Sequence, residues 1–385
     1  MRHRLCEEDQ MKIGSLVYAT EQGLGILAKD FYDNNILTDV VCVQHQHRTN
    51  HCEKWYGKNV MEVPAKTWGR CVLESVLEFI DEMDVMLFFE TPFNWELIEQ
   101  CRRLGTVSIL MTMYECTPER LPQIPDVFFC PSLLDSYYFV HHESILYDEG
   151  FKPFTLIPGK CETDLYYTPI PIPRHIQHQQ RRTTRKFVHN AGHGGLKGRN
   201  GTTELLEGIY NHCQVIRHQD DVQFTIRAQK STTELMDYVR LFQNSSLKDK
   251  VNFEIGKTIP HDQLYSDGDV FVFPEKFNGL SLPLQEAFAS GMIVMGSQRF
   301  PMNWLPSQPM IWVDSFERER IGPGYLEYDK AVVLPEHIGN AIDRVYEFPS
   351  NLTEMLSNDG NTYRELNSWD VLREKYWRIL TDLVF

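Results

Sequence analysis

The sequence predicts an α/β protein made of two sheet-containing halves. Short apolar runs alternate with stretches of helical period, the pattern of parallel sheets layered with helices. The alternation breaks once, at TPIPIPRHIQHQQRRTTRK (168–186), which holds three prolines and five Lys/Arg and no acid. It then resumes, and a length of 385 residues suits two domains of ordinary size.

In the first half, KIGSLVYA (12–19) reads as a strand, ILAKDFYDNN (26–35) as a helix and DVVCVQ (39–44) as the next strand. DVMLFFE (84–90), VSILMTMY (107–114) and DVFFCPS (126–132) are further strands, each ending in polar or turn residues. After the break come KFVHN (186–190), VQFTIRA (222–228), KVNFEIG (250–256), DVFVFPE (269–275) and MIVMGS (292–297). SWDVLREKYWRILTDLV (368–384) has apolar residues at helical spacing and predicts a long final helix. The boundaries expected from this pattern are an N-terminal domain over 11–167, a linker over 168–186, a C-terminal domain over 187–365 and the closing helix over 366–385.

Composition is that of a soluble globular protein, with 42% hydrophobic and 24% charged residues. No run reaches the roughly 18 apolar residues of a membrane span, so no transmembrane segment is expected. The N-terminus carries charge without an apolar core behind it, unlike a secretory signal, and residues 1–10 read as a lead-in. Nine scattered cysteines with no Cys-x-x-Cys pair fit reduced thiols in the cytoplasm rather than a disulfide framework or a zinc site. A net charge of −15 gives no general attraction to nucleic acid or anionic membrane.

Three loops carry candidate chemistry. In EQGLGILA, Gly23, Gly25 and Ala28 match G-x-G-x-x-A between a strand and a helix. Such glycines let backbone approach a phosphate or sugar, or simply make a tight turn. The next strand ends VCVQHQH without the acid a dinucleotide ribose would want, which counts against NAD. HNAGHGGLKGRNGTTELLEG (189–208) places Gly192, Gly194, Gly195 and Gly198 with Lys197 and Arg199 ahead of a helix that Thr202 is placed to cap. Backbone amides, a helix dipole and two cations make an anion site. In FPEKFNGLSLPLQEAFASG (273–291), Gly279, Leu280 and Ser281 turn into a helix with Pro283 in its first turn, and Glu286 follows about one turn in. A carboxylate there accepts hydrogen bonds from a ribose diol. Asp267 and Asp269, which resemble a metal-binding Asp-x-Asp, read as a turn at a strand start, and no metal is expected.

These segments resemble the two-domain GT-B glycosyltransferases of family 4. DVFVFPEKFNGLSLPLQEAFASGMIVMGS looks like their donor motif of two glutamates separated by seven residues; the second falls on Glu286, and Asn278 stands where the first would be. GHGGLKGRNGTTELLEGI looks like their Lys-Gly-x-x-x-Leu-Leu segment, with Asn200 at the lysine position and Lys197 or Arg199 left to supply the charge. LIPGKCETDLYYTP (156–169) resembles an interdomain segment of the family, matching at Thr163, Asp164, Tyr166 and Pro169. IGKTIPHDQLYSDGDVFVFP resembles the segment that cradles the base, and SWDVLREKYWRIL the final helix that crosses back to the N-terminal domain. The resemblance is specific mainly from residue 156 onward.

The resemblance implies two Rossmann-like domains facing across a cleft and a retaining, metal-independent transfer from a nucleotide-diphosphate sugar to a hydroxyl acceptor. The donor is a substrate, and no bound cofactor is implied. Lys197, Arg199 and the Gly279–Ser281 amides are assigned to the diphosphate, with Arg227 as a further candidate, and Glu286 to the ribose. Glu90 and Glu115 end N-terminal strands and are candidates to orient the acceptor. The acceptor is read as a glycan or small molecule first. A hydroxymethylated base in DNA is second, because RHIQHQQRRTTRK (174–186) is a cationic island. Two other readings stay open: a degenerate binding protein, given Asn278 and Asn200, and a sugar-nucleotide epimerase on the same fold.

Overall fold

The structure is a computed structural model, which describes residues 11–21, 23–45, 49–67, 70–71, 73–132, 135, 164–192, 198–257, 259–299, 305, 308–320 and 322–385. The chain divides into two compact units. The first runs to Ile170 and adds Ile321–Leu326 and Trp369–Phe385; the second holds Pro171–Arg320 and Glu327–Ser368. Among the described residues no helix is long and apolar enough to cross a membrane.

The first unit is built on β1 (Ile13–Val17), β2 (Asp39–Gln44), β3 (Met61–Thr67), β4 (Arg70–Cys71), β5 (Val85–Glu90), β6 (Val107–Thr112), β7 (Val127–Cys130) and β8 (Asp164–Tyr167). They form one sheet in the order β4-β3-β2-β1-β5-β6-β7-β8, parallel except for the β3–β4 pair. β1, β5 and β7 are buried almost throughout, which is why they read as unbroken apolar runs rather than as alternating ones. The helices are α1 (Gly23–Asp33), α2 (Cys52–Tyr56), α3 (Leu77–Asp81) and α4 (Glu96–Leu104). β3, β4 and β8 have no counterpart in the sequence reading. MEVPAKT carries a proline and charges, the marks of an edge rather than a core strand, and DLYY is exposed or half-buried along its length.

The second unit has a six-stranded parallel sheet of β9 (Lys186–Gly192), β10 (Gln223–Ala228), β11 (Val251–Ile255), β12 (Val270–Phe273), β13 (Ile293–Ser297) and β14 (Met310–Ile311), in the order β11-β10-β9-β12-β13-β14. A separate antiparallel hairpin pairs β15 (Ser315–Glu319) with β16 (Tyr328–Val332). Its helices are α5 (Thr202–Glu207), α6 (Val215–His218), α7 (Thr233–Gln243), α8 (Leu282–Ala289), α9 (Pro335–Tyr346) and α10 (Ser350–Leu366). Two apolar clusters sandwich the sheet, one with α5, α7 and α9, the other with α8.

The boundary of the second unit differs from the composition-based one. The Pro-rich stretch predicts a linker over 168–186, yet from Pro171 it lies along the second unit. Ile172 and Ile176 are buried in the α8-side cluster, and the Ile172 amide donates to the Asn367 carbonyl at 2.7 Å. Asp269 Oδ2 accepts the Thr183 hydroxyl and the Arg185 and Lys186 amides at 2.8–3.0 Å. Arg181 is buried and donates to the Tyr265 carbonyl, Arg185 pairs with Asp221 and covers the Tyr346 ring, and Arg182 pairs with Glu354. Proline and positive charge mark this strap as extended and polar; its carboxylate partners are distant in sequence.

The last helix, α11 (Trp369–Val384), belongs to the first unit, as the resemblance implies. It buries Trp369, Leu372, Tyr376, Ile379 and Leu380, one helical stripe. Trp369 Nε1 donates to Asp30 Oδ2 at 2.5 Å and the indole meets Phe31 edge-on, while the Tyr376 hydroxyl reaches the Thr168 and Pro169 carbonyls. Trp369→Ala leaves a large cavity and removes the indole donor to Asp30. It is expected to cost about 3–5 kcal/mol; an unchanged urea midpoint for the variant would show that the helix does not close this core.

Candidate functional site

In the second unit β9 lies between β10 and β12, so the strand order reverses there. The crevice outside the carboxyl ends of β9 and β12 is where such sheets bind ligands. Two loops leave that edge, one before α5 and one over 274–281, and they are joined to each other. The Lys276 amide donates to the Arg199 carbonyl at 2.8 Å. Gly201 has φ +62°, and a Cβ on it would sit 2.1 Å from the Pro274 carbonyl oxygen, so glycine alone fits. Gly201 is the N-cap of α5. This corrects the expectation for Thr202, whose hydroxyl instead donates to His189 Nε2 at 2.8 Å. His189 in turn donates from Nδ1 to the Val272 carbonyl at 2.8 Å. Burial holds the His189 pKa down at about 4, so the ring is neutral and ties the two strand ends together.

The second loop is organised by a buried acid. Glu275 has no exposed surface, and its Oε1 accepts the Ser281 hydroxyl at 2.5 Å and Arg299 Nη2 at 2.9 Å. Arg299 Nη2 also reaches the Asn278 carbonyl at 3.3 Å. Ser281 is thereby held at φ 45°, a left-handed conformation costly for a residue other than glycine, and it caps α8 with backbone rather than side chain. Asn278 Oδ1 accepts the Ser281 amide at 3.1 Å and Arg199 Nη2 at 3.2 Å. Among the described residues the Gly279 and Leu280 amides find no protein acceptor. Two free amides at a helix start with a guanidinium beside them make an electropositive cradle.

One turn into α8, Glu286 is nearly buried. Its Oε2 accepts the Tyr265 hydroxyl at 2.7 Å and His261 Nε2 at 2.9 Å, and Oε1 has no donor among the described residues. Burial, with Glu286 beside it, pushes the Tyr265 pKa well up, so the phenol stays a donor. Arg227 is committed inside the unit: Nε to Glu254 at 2.8 Å, Nη1 to the Leu264 carbonyl at 2.6 Å and Nη2 to Asp267 at 2.7 Å. Its guanidinium therefore holds the 264–267 turn, and the expectation that it meets the diphosphate is corrected to that extent. Asp267 and Asp269 are both occupied by protein donors, in keeping with a strand-start turn. Asn200, at the family's lysine position, donates to the Ala191 carbonyl at 3.0 Å. Gly194, Gly195 and Lys197 lie outside the described residues, as does Thr163.

In the first unit the strand order reverses at β1 and β5. Gly23 opens α1 with open space at its Cβ position, whereas a Cβ on Gly25 would lie 2.2 Å from the Thr20 carbonyl oxygen. Gly25 thus serves close packing of α1 on the preceding turn, the plainer of the two readings of this motif. Glu90 ends β5 at φ 66° and accepts the Cys116 thiol at 2.8 Å. Glu115 is wholly enclosed, which corrects the expectation that it touches an acceptor. Its neighbour Asp135, equally buried, accepts the Ser132 hydroxyl.

No protein-family model matches the chain, and no curated protein sequence matches it. Solved structures do. HepE from Anabaena, in complex with UDP and glucose, superposes with a TM-score of 0.64 at 10% identity, covering 97% of this chain and 100% of that one. The fold is GT-B. A glycosyltransferase from Rickettsia africae gives a TM-score of 0.65 at 10% identity over 98% and 99% of the two chains. Sucrose-phosphate synthase from Thermosynechococcus elongatus gives 0.59 at 12% identity over 97% and 99%. At such identities the likeness establishes the fold alone.

Sequence reading missed Arg299, His189, His261 and Tyr265. Only the last two lie in a segment the resemblance marked, and nothing in the spacing of the others signals a role. The buried acid of the first unit gives a testable consequence. Burial and the nearby Glu115 raise the Asp135 pKa to about 8. A carboxyl whose pKa is raised on folding keeps its proton where the unfolded chain has lost it. Stability should therefore fall as pH rises from the ordinary aspartate value of about 3.9 toward 8, by up to about 1.4 kcal/mol per unit. Asp135→Asn is expected to flatten that slope; parallel stability–pH curves for variant and wild type would reject the assignment.

Proposed function

We propose that this chain is a metal-independent, retaining glycosyltransferase of the family 4 type, moving a sugar from a nucleotide-diphosphate sugar to a hydroxyl acceptor. The observation that carries the proposal is the α8 start: free Gly279 and Leu280 amides, the Arg199 guanidinium beside Asn278, and Glu286 one turn away with Oε1 open. The diphosphate sits against the amides and Arg199, which stabilise the charge that grows as the sugar–phosphate bond breaks. The ribose donates a hydroxyl to Glu286 Oε1. Lys197 is proposed as a second cation on the diphosphate, and Gly194 and Gly195 as backbone approaching it. Glu90, strained at the end of β5, is proposed on the acceptor side. The fold shared with HepE, whose structure holds UDP and glucose, makes UDP-glucose the first donor to test.

The acceptor we propose is a glycan or small molecule. Arg181, Arg182 and Arg185 of the cationic stretch are already bonded within the second unit, which weakens the case for hydroxymethylated DNA. The non-catalytic reading keeps one observation in its favour: neutral Asn278 and Asn200 stand at both departures from the family motif, and the Asn200 amide is spent on backbone. Donor hydrolysis by the wild-type protein separates the two readings, and interconversion of free donor without any acceptor would mark an epimerase.

Glu286→Ala is expected to weaken UDP-glucose binding by about 1.5–3 kcal/mol in calorimetry without lowering the melting temperature in step. Arg199→Ala should cut turnover at saturating donor more than it weakens uridine monophosphate. Unchanged affinity in the first and unchanged turnover in the second would remove both assignments. Activity should survive EDTA, because Arg199 and the helix start supply the positive charge at the diphosphate; loss with EDTA that manganese restores would contradict this.

A further inference from the structure

Glu286 is held from behind by a chain of side chains that the proposed chemistry does not touch. Oε2 takes two donors, the Tyr265 hydroxyl at 2.7 Å and His261 Nε2 at 2.9 Å, and His261 Nδ1 lies 2.7 Å from His175 Nε2. The direction of the chain follows from hydrogen-bond capacity. A carboxylate only accepts, so His261 Nε2 carries the proton it gives to Glu286. In the neutral ring Nδ1 is then an acceptor, so His175 Nε2 is the donor to it. The three residues come from separate elements of the second unit: the extended strap, the turn before β12, and α8.

We propose that His261, backed by His175 and helped by Tyr265, is the positioning residue that fixes Glu286 for the donor ribose and couples donor affinity to the protonation of the histidine pair. This rests on Glu286 being the ribose carboxylate. With both lone-pair directions of Oε2 filled by groups anchored in the fold, the carboxylate plane is fixed and Oε1 is left to accept the ribose hydroxyl. The neutral pair makes both of its hydrogen bonds and leaves Glu286 its full charge. An added proton keeps the bonds, with the His175–His261 one reversed, but places an imidazolium against Oε2. That draws charge from Oε1 and weakens it as an acceptor. Affinity therefore falls as the pair takes up a proton toward acid pH. Among the described residues the nearby charged groups include Arg174 next to His175, Asp262 next to His261, and Arg227 near Tyr265, itself paired with Asp267 and Glu254.

The test is calorimetric binding of UDP-glucose, GDP-glucose and ADP-glucose between about pH 5.5 and 8. Wild type should bind one of them several-fold more weakly at the acid end. His261→Ala should lose about tenfold at the alkaline end, the scale of one hydrogen bond to a charged group. His261→Gln places an amide N–H where Nε2 was; it should keep alkaline affinity within about threefold and lose the pH dependence. His175→Ala should keep alkaline affinity and shift the pH profile. A His261→Ala variant that binds like wild type, or a His261→Gln variant that keeps the wild-type pH slope, overturns the inference while the donor reading stands. Wild type that binds none of the three removes the donor reading, and the inference with it.

Discussion

The buried contact between Glu275 and Arg299 is the constraint on which the α8 loop depends. Both side chains are almost without exposed surface. Burial drives the Glu275 pKa up, and Arg299 and the Ser281 hydroxyl pull against that shift. A pair of this kind is not a cheap source of stability, since stripping water from both charges offsets much of their attraction. Its effect is geometric. The carboxylate fixes Ser281 in a left-handed conformation, and the guanidinium fixes the Asn278 carbonyl. A second bond from Ser297 Oγ to the Glu275 carbonyl at 2.6 Å ties the loop to β13.

From that anchor the rest of the cradle follows. With Ser281 turned, α8 begins without a side-chain cap, and among the described residues the Gly279 and Leu280 amides have no protein acceptor. Asn278 then points its side-chain oxygen at Arg199 and accepts from its guanidinium. The shift of the cation from position 200 to 199 and the neutral residue at 278 are thus mutually consistent: Arg199 reaches what Asn200, bonded to the Ala191 carbonyl, does not.

Much of the strand pattern was legible because parallel sheets covered on both faces demand continuous apolar runs. DVVCVQ, VMLFFE and VFVF each became a strand at the expected place. The short or polar strands β3, β4 and β8 were not legible, because proline, charge and brevity hide the apolar run that marked the others, while the edge strand β11 was read as KVNFEIG. Glu286 was legible since a lone acid in an otherwise apolar helix must have a reason to be there. For Arg227, position at a strand end does not reveal that its guanidinium meets Glu254, Asp267 and a carbonyl.

The amino-acid sequence by itself determined the two alternating series, the glycine turns at strand ends and the apolar stripe of α11, because each is a local pattern set by backbone geometry and burial. Tertiary structure decided which polar groups meet. Glu275 found Arg299 twenty-four residues away, Glu286 found Tyr265 and His261, and the prolines of the strap lie along the second unit with Asp269 gathering its amides. Such partners carry no periodic signal: a hydrogen bond depends on where two chain segments come together in space, and only the folded sheet brings them there.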